Sequence, residues 1–140
     1  MKLSTIISKN VIHCEDEDSI DTVIRKMKEN EVSCVLIVDK QELVVGIVTE
    51  RDILRNLATV ELDKKLERPI RVLMSRSVSY VERGNIEKGI WELYQTKKVR
   101  HFPVLHANIR LKDRHFLKDV EGIITTTDVF VSAIRRLANK

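Results

Sequence analysis

Gly46-Ile47-Val48-Thr49-Glu50-Arg51-Asp52 returns near the other end of the chain as Gly122-Ile123-Ile124-Thr125-Thr126-Thr127-Asp128. Each copy opens on β-branched residues suited to a strand and runs into helical spacing. Ile53, Leu54 and Leu57 follow the first copy; Val129, Phe130 and Ile134 follow the second. A strand-to-helix corner repeated with the same Thr–x–x–Asp pair predicts two matching sites in one chain. It favours a duplicated ligand-binding module over an enzyme with one unique catalytic centre.

The duplication extends outward from that phrase. Leu3, Ile7, Ser8 and Val11 align with Ile70, Met74, Ser75 and Val78 at a constant offset of 67 (70 − 3, 78 − 11). The same offset carries Val32, Val35 and Ile37 onto Val99, Phe102 and Val104. Between these lies one helical pattern per copy: Ile20, Val23, Ile24 and Met27, then Ile86, Ile90, Leu93 and Tyr94. The glycine motifs are 76 apart (122 − 46), so the second copy gains nine residues (76 − 67) between Val104 and Gly122. The charged stretch from His106 to Glu121 predicts an expanded hairpin loop there, as a protein contact or a mobile hairpin.

Each repeat reads as short strand, helix, strand, hairpin, strand, helix. In the first, Val11–Cys14 is the short strand and Ser19 the N-cap of a helix from Ile20 to about Asn30. Strands over Val32–Val38 and Leu43–Val48 and a helix over about Glu50–Leu57 complete it. Ala58–Arg68 joins the copies and Pro69 marks the second. The expected class is α/β (α+β), with one β-α-β-β-α repeat in residues 1–62 and another in 63–140, its loop at about 106–121.

Composition narrows the function classes. The chain has 140 residues and a formal charge of +4, with charged residues spread along it, which is a globular composition. No apolar run approaches the roughly 20 residues of a membrane span. The N-terminus lacks a secretory pattern, so a cytoplasmic protein is expected. Cys14 and Cys34 form no Cys-x-x-Cys and are expected to be buried, reduced thiols. The histidines have no zinc spacing, and Glu15-Asp16-Glu17-Asp18 lacks the glycine turn of a calcium loop. No metal site is therefore expected. Trp91, at helical spacing, is expected in the core or a subunit contact.

The β-α-β-β-α order with Gly-hydrophobic-x-Thr-x-x-Asp, the Phe102-Pro103-Val104 strand and the Met74-Ser75…Val78 lead-in resemble the CBS domain. The resemblance covers essentially the whole chain as a tandem pair, a Bateman module. It implies a sensor of an adenosine ligand (AMP, ADP, ATP or S-adenosylmethionine), held in clefts formed by two repeats packed about a pseudo-twofold axis. It also implies a homodimer, and no catalytic cofactor. By that resemblance Asp52 and Asp128 accept from ribose hydroxyls, Thr49 and Thr125 donate to phosphate, and backbone near Ile12 and Ser79 reads the adenine edge. Leu36 stands where the family has the proline matched by Pro103.

The residues also admit a structural reading. Thr–x–x–Asp at a helix start is close to a capping box, which does not exclude ligand binding at the same helix end. The cations differ between copies: Arg100 and His101 in the second align with Ser33 and Cys34 in the first, while Arg51 aligns with Thr127. The two sites are therefore expected to be unequal. The leading expectation is a non-catalytic regulatory module whose ligand state is read by a separate effector protein. Nucleic-acid binding through Arg110, Lys112, Arg114, Lys118, Arg135, Arg136 and Lys140, or a scaffold role without a nucleotide, is the alternative. The charge is modest and interspersed with acidic residues, which disfavours nucleic acid. Enzyme chemistry is disfavoured too, because no nucleophile–base pair or phosphate loop occurs.

Overall fold

A computed structural model describes residues 6–57 and 62–139. Leu3, part of the predicted linker and Lys140 lie outside the described residues. The elements are β1 (His13–Glu15), α1 (Ile20–Asn30), β2 (Cys34–Val38), β3 (Val44–Thr49), α2 (Glu50–Leu57), α3 (Leu62–Lys65), α4 (Ile86–Lys97), β4 (His101–Leu105), β5 (Val120–Thr125) and α5 (Thr126–Ala138). The class is α+β, as the repeat pattern predicts.

Local chemistry sets the helix ends. Ser19 caps α1, its Oγ accepting from Thr22 N–H at 3.1 Å, and Ile20, Val23 and Met27 form the buried stripe. Glu31, in the left-handed region at φ 52°, closes α1, and Lys98 closes α4 at φ 53°. These two residues are 67 apart (98 − 31), so the duplication includes the helix stop.

The chain forms two compact units. Residues 12–78 with 114–117 make the first, and residues 6–11, 79–113 and 118–139 make the second. Each lead-in segment thus belongs with the other repeat's sheet, so the compact units differ from the repeats read along the sequence.

In the first unit the strand order is β1-β2-β3, with β1 parallel and β3 antiparallel to β2. Cys34 lies opposite Thr49 and Ile37 opposite Gly46, and the register shifts between Ile37 and Val38. In the second unit His101 lies opposite Thr125 and Val104 opposite Gly122, with the shift between Val104 and Leu105. Pairing and bulge are therefore copied residue for residue. All five residues of β2 are buried, as befits a central strand covered on both faces. Val23, Val35, Ile37 and Val48 centre the core of the first unit, and Phe102, Val104 and Ile124 that of the second.

Glycine is required where each lead-in segment meets its sheet. Ile47 and Ser75 exchange N–H···O bonds at 2.8 and 2.9 Å, and Ser8 and Ile123 do so at 2.9 and 2.8 Å. A Cβ on Gly46 would stand 2.8 Å from the Ser75 carbonyl oxygen, and one on Gly122 2.5 Å from that of Ser8. Backbone cannot swing aside as a flexible side chain can. Gly46→Ala and Gly122→Ala are each expected to destabilise by about 1–3 kcal/mol through overpacking, read as a fall in Tm. A Tm unchanged in both would contradict this close approach.

The nine-residue insertion is not the unpacked loop that its charge suggests. Arg114–Leu117 belong to the first unit. Val44 N–H donates to His115 O at 2.9 Å, Leu117 N–H donates to Glu42 O at 2.8 Å, and Leu43 bridges Phe116 in antiparallel fashion. The free edge where β3 begins needs partners for its backbone groups, and this segment supplies them. His115 is only 1% exposed. His115→Ala is expected to lose about 1–3 kcal/mol and to speed hydrogen exchange at the Val44 amide. The Ile47 amide, held by Ser75, should keep its protection. Trp91 is also corrected in part: at 62% exposed it is no core residue of the described chain.

Candidate functional site

The two corners are built alike. Thr49 ends β3 and Asp52 lies in the first turn of α2; Thr49 N–H donates to Asp52 Oδ2 at 2.9 Å, and Asp52 N–H donates back to Thr49 Oγ1 at 3.3 Å. Thr125 ends β5 as the N-cap of α5; Thr125 N–H donates to Asp128 Oδ2 at 2.9 Å, and Asp128 N–H donates to Thr125 Oγ1 at 3.1 Å. Both pairs satisfy backbone donors that a helix start leaves open. The capping reading of the sequence therefore holds at both corners. All four side chains are half-buried. Each carboxylate commits Oδ2, and no described residue donates to Oδ1. A half-exposed acceptor beside a helix N-terminus can take a donor from a ligand.

One difference separates the corners. The Thr49 hydroxyl donates to Asp52 Oδ2 at 3.0 Å. The hydroxyl proton of Thr125 is engaged by no described residue, its oxygen serving only as acceptor.

The remaining candidates divide cleanly between the units. Ile12, Arg51, Thr49 and Asp52 belong to the first; Ser79, Arg100, His101, Thr125 and Asp128 belong to the second. Arg51 and Arg100 are exposed. Arg100 O accepts from Thr126 N–H at 3.0 Å, as Ser33 O accepts from Glu50 N–H at 3.0 Å, so the backbone at Arg100 is fixed at the corner while its charged head stays in solvent. His101 lies directly across from Thr125; its counterpart Cys34 lies across from Thr49. Burial pushes the Cys34 thiol up to about 12, so it faces its corner as a neutral, small hydrophobe.

The pair Ile12 and Ser79 behaves differently in the two units. Ile12 O accepts from Leu36 N–H at 3.0 Å, which pins the lead to β1 onto β2. The equivalent donor at Pro103 does not exist, because proline has no N–H. Ser79 is 6% exposed, and its hydroxyl has no hydrogen-bond partner among the described residues. Tyr80, beside it, has its phenol raised above the usual range chiefly by burial, with Asp119 adding to the effect.

Sequence reading missed a charged cluster in the second unit. Glu121 occupies the bulge of β5, where the first copy has Val45, and its side chain is buried. Arg83 Nη1 donates to Glu121 Oε1, and His106 Nδ1 lies 3.8 Å from the same oxygen. The signal was available in the alignment: an acid replaces an apolar residue just before the motif glycine. Among the described residues no group of three or more His, Cys, Asp or Glu could hold a metal.

Comparison with known proteins agrees with this architecture. Residues 3–59 match the family model of the CBS domain. The solved CBS domain pair of protein MJ0100, in complex with 5-methylthioadenosine and S-adenosyl-L-methionine, superposes with a TM-score of 0.75 at 21% identity, covering 97% of this chain and 98% of that one. An uncharacterised 17.7 kDa protein of Acidianus ambivalens is 26% identical over 110 residues, which is 79% of this chain and 65% of its own length. The inosine-5'-monophosphate dehydrogenase of Methanocaldococcus jannaschii is 26% identical over 128 residues, 91% of this chain but only 23% of that enzyme. The chain thus spans under two thirds of the length of either curated relative. Its first repeat matches the CBS-domain family, and its fold is that of the solved tandem CBS pairs.

The capping role can be measured without any ligand. Thr49→Ala and Thr125→Ala are each expected to cost about 1 kcal/mol of unfolding free energy, and the serine variants much less. Equal losses for alanine and serine would mean that the threonine methyl, not its oxygen, matters.

Proposed function

We propose that the chain is a non-catalytic regulatory module that binds an adenosine-containing ligand, AMP, ADP, ATP or S-adenosylmethionine, at its Thr–x–x–Asp corners. The observation that carries this reading is the repeated corner itself: a half-buried carboxylate with one oxygen uncommitted among the described hydrogen bonds, set at a helix start beside a threonine. An acceptor-only carboxylate suits a ribose diol, whose two hydroxyls are donors. A helix N-terminus with its open N–H groups suits a phosphate or carboxylate on the same ligand. The ligands held by the CBS pair of MJ0100 support the adenosine class.

Regulation then follows from linkage. A ligand at 100 times its Kd stabilises the bound form by about 2.7 kcal/mol, enough to bias a two-state element read by an effector. We read the effector as a separate cytoplasmic protein and the working form as a homodimer. Large exposed apolar side chains support a protein contact: Trp91 at 62%, Phe130 at 65% and Leu137 at 70% in the second unit, and Leu54 at 67% in the first. No described helix is long and apolar enough to cross a membrane.

Calorimetric titration of nucleotide-stripped protein with each of the four ligands tests the reading. Saturable binding of at least one is expected, weakened about tenfold or more by Asp→Asn at a live corner. Asparagine keeps an oxygen for the capping bond, so Tm should change little. Binding that survives both Asp52→Asn and Asp128→Asn would overturn the assignment of these carboxylates.

A further inference from the structure

The second unit holds a groove between α4 and α5 of about 260 Å³. Ile90, Trp91 and Val129 give it apolar walls, and Ser132, Glu87 and Arg136 are its polar groups. Neither Thr125 nor Asp128 lines it, so the groove stands apart from the corner assigned to adenosine binding.

Ser132 makes the groove informative. It is 3% exposed, and its hydroxyl has no hydrogen-bond partner among the described residues. A helical serine can settle its hydroxyl on the carbonyl four residues back, and this one does not. The first copy shows the contrast. Asn56 stands at the position of Ser132 (132 − 76), and its Nδ2 donates to Asp52 O at 2.7 Å. Buried polar groups are almost always bonded, so the open hydroxyl marks a partner that enters through the groove it lines.

Arg136 identifies the chemistry of that partner. It follows Ser132 by one turn on the same face of α5 (136 − 132 = 4), so both present donors along one line. Arg136 Nη2 lies 3.9 Å from Glu87 Oε1, beyond hydrogen-bond reach, and the two side chains are 48% and 67% exposed. Such a pair is weak and readily exchanged. A carboxylate is thus already drawn to this guanidinium, but it is held loosely from the rim. One entering the groove would take the guanidinium and the serine hydroxyl together, in charge-assisted hydrogen bonds.

We propose that this groove binds a small monocarboxylate with an apolar body, its carboxylate displacing Glu87 from Arg136 and accepting from the Ser132 hydroxyl. The body would lie along Ile90, Val129 and the indole of Trp91. Drug-sized sites enclose roughly 300–1,000 Å³, so this smaller volume suits a body of about one ring or a short alkyl chain. The first copy has Ile20 and Ile24 where the second has Glu87 and Trp91 (87 − 67, 91 − 67), so this pairing of acid and indole is particular to the second unit. A ligand here and a protein contact over Trp91 exclude one another.

The test uses the full chain, in which Trp91 is the one tryptophan and hence the only source of indole emission. The probes are phenylacetate and hexanoate, with phenylacetamide and hexanamide as uncharged controls. Each carboxylate should shift the Trp91 emission to the blue and saturate below about 10 mM, as expected for a ligand of about ten non-hydrogen atoms. The amides should bind at least about fivefold more weakly. Arg136→Gln and Ser132→Ala should each weaken the carboxylates about fivefold or more, and Glu87→Gln should strengthen them by removing the competing acid. Ser132→Ala should keep or raise Tm, since an unpaired buried hydroxyl is lost, so its weaker binding is not a failure to fold. A merely structural ion pair would make Glu87→Gln and Arg136→Gln act alike; opposite effects on affinity separate the two roles. Equal binding of the amides, or weakening by both Glu87→Gln and Arg136→Gln, would overturn the carboxylate assignment. No saturable change with either carboxylate would overturn the site itself. A dimer in sedimentation whose Trp91 emission reddens on dilution, and which ignores the probes, would assign the groove to a subunit contact instead.

Discussion

Everything else in this protein is organised around one close approach of backbone to backbone. Each lead-in segment forms a reciprocal pair of hydrogen bonds with the strand that carries a Thr–x–x–Asp corner, at Ser75–Ile47 and at Ser8–Ile123. Such an approach leaves no room for a Cβ on the residue just before, and glycine stands there in both copies. The pairing also fixes the exchange of segments between repeats: residues 6–11 complete the second unit, and Ser75 lies within the first. A single repeat lacks its own lead-in pairing. The duplication is thus a condition of the fold as much as a relic of its history.

From that constraint the sites follow with little further freedom. The strand held by the lead-in runs three residues past the glycine and turns into a helix, whose open N–H groups need acceptors. Threonine and aspartate meet that need in both copies with nearly the same distances. The same geometry leaves a carboxylate oxygen and a helix start facing outward from the cap. Stability and binding therefore share residues, and Asp→Asn separates them where Asp→Ala does not. The differences between the units lie in the flanks, at Leu36 against Pro103, Cys34 against His101 and Val45 against Glu121.

Much of this was legible in the sequence. The patterns within the repeats gave the helices α1 and α2 and the order of elements in the first repeat; the short strand expected to open the second is only a bridge between Val81 and Val104, while the offsets of 67 and 76 recur in register, bulge and helix stop. What stayed hidden depends on pairing between segments far apart in the chain. A sequence assigns Leu3 to Val11 to the nearer repeat, because periodicity carries no information on which strand a segment will join. The insertion reads as a charged loop because Arg110, Lys112 and Arg114 dominate its composition, while the buried His115 is one residue among them. Trp91 reads as core or subunit contact because helical spacing cannot tell an inward stripe from an outward one. At the site, the four corner residues were legible from repetition. The committed carbonyl of Ile12 and the buried carboxylate of Glu121 needed coordinates.

The most direct test of the account is a crystal structure of the protein grown with S-adenosylmethionine. The account predicts ribose hydroxyls within hydrogen-bonding distance of the Asp52 or the Asp128 carboxylate. A ligand bound away from both Asp52 and Asp128, with the two carboxylates serving only their helix caps, would contradict it.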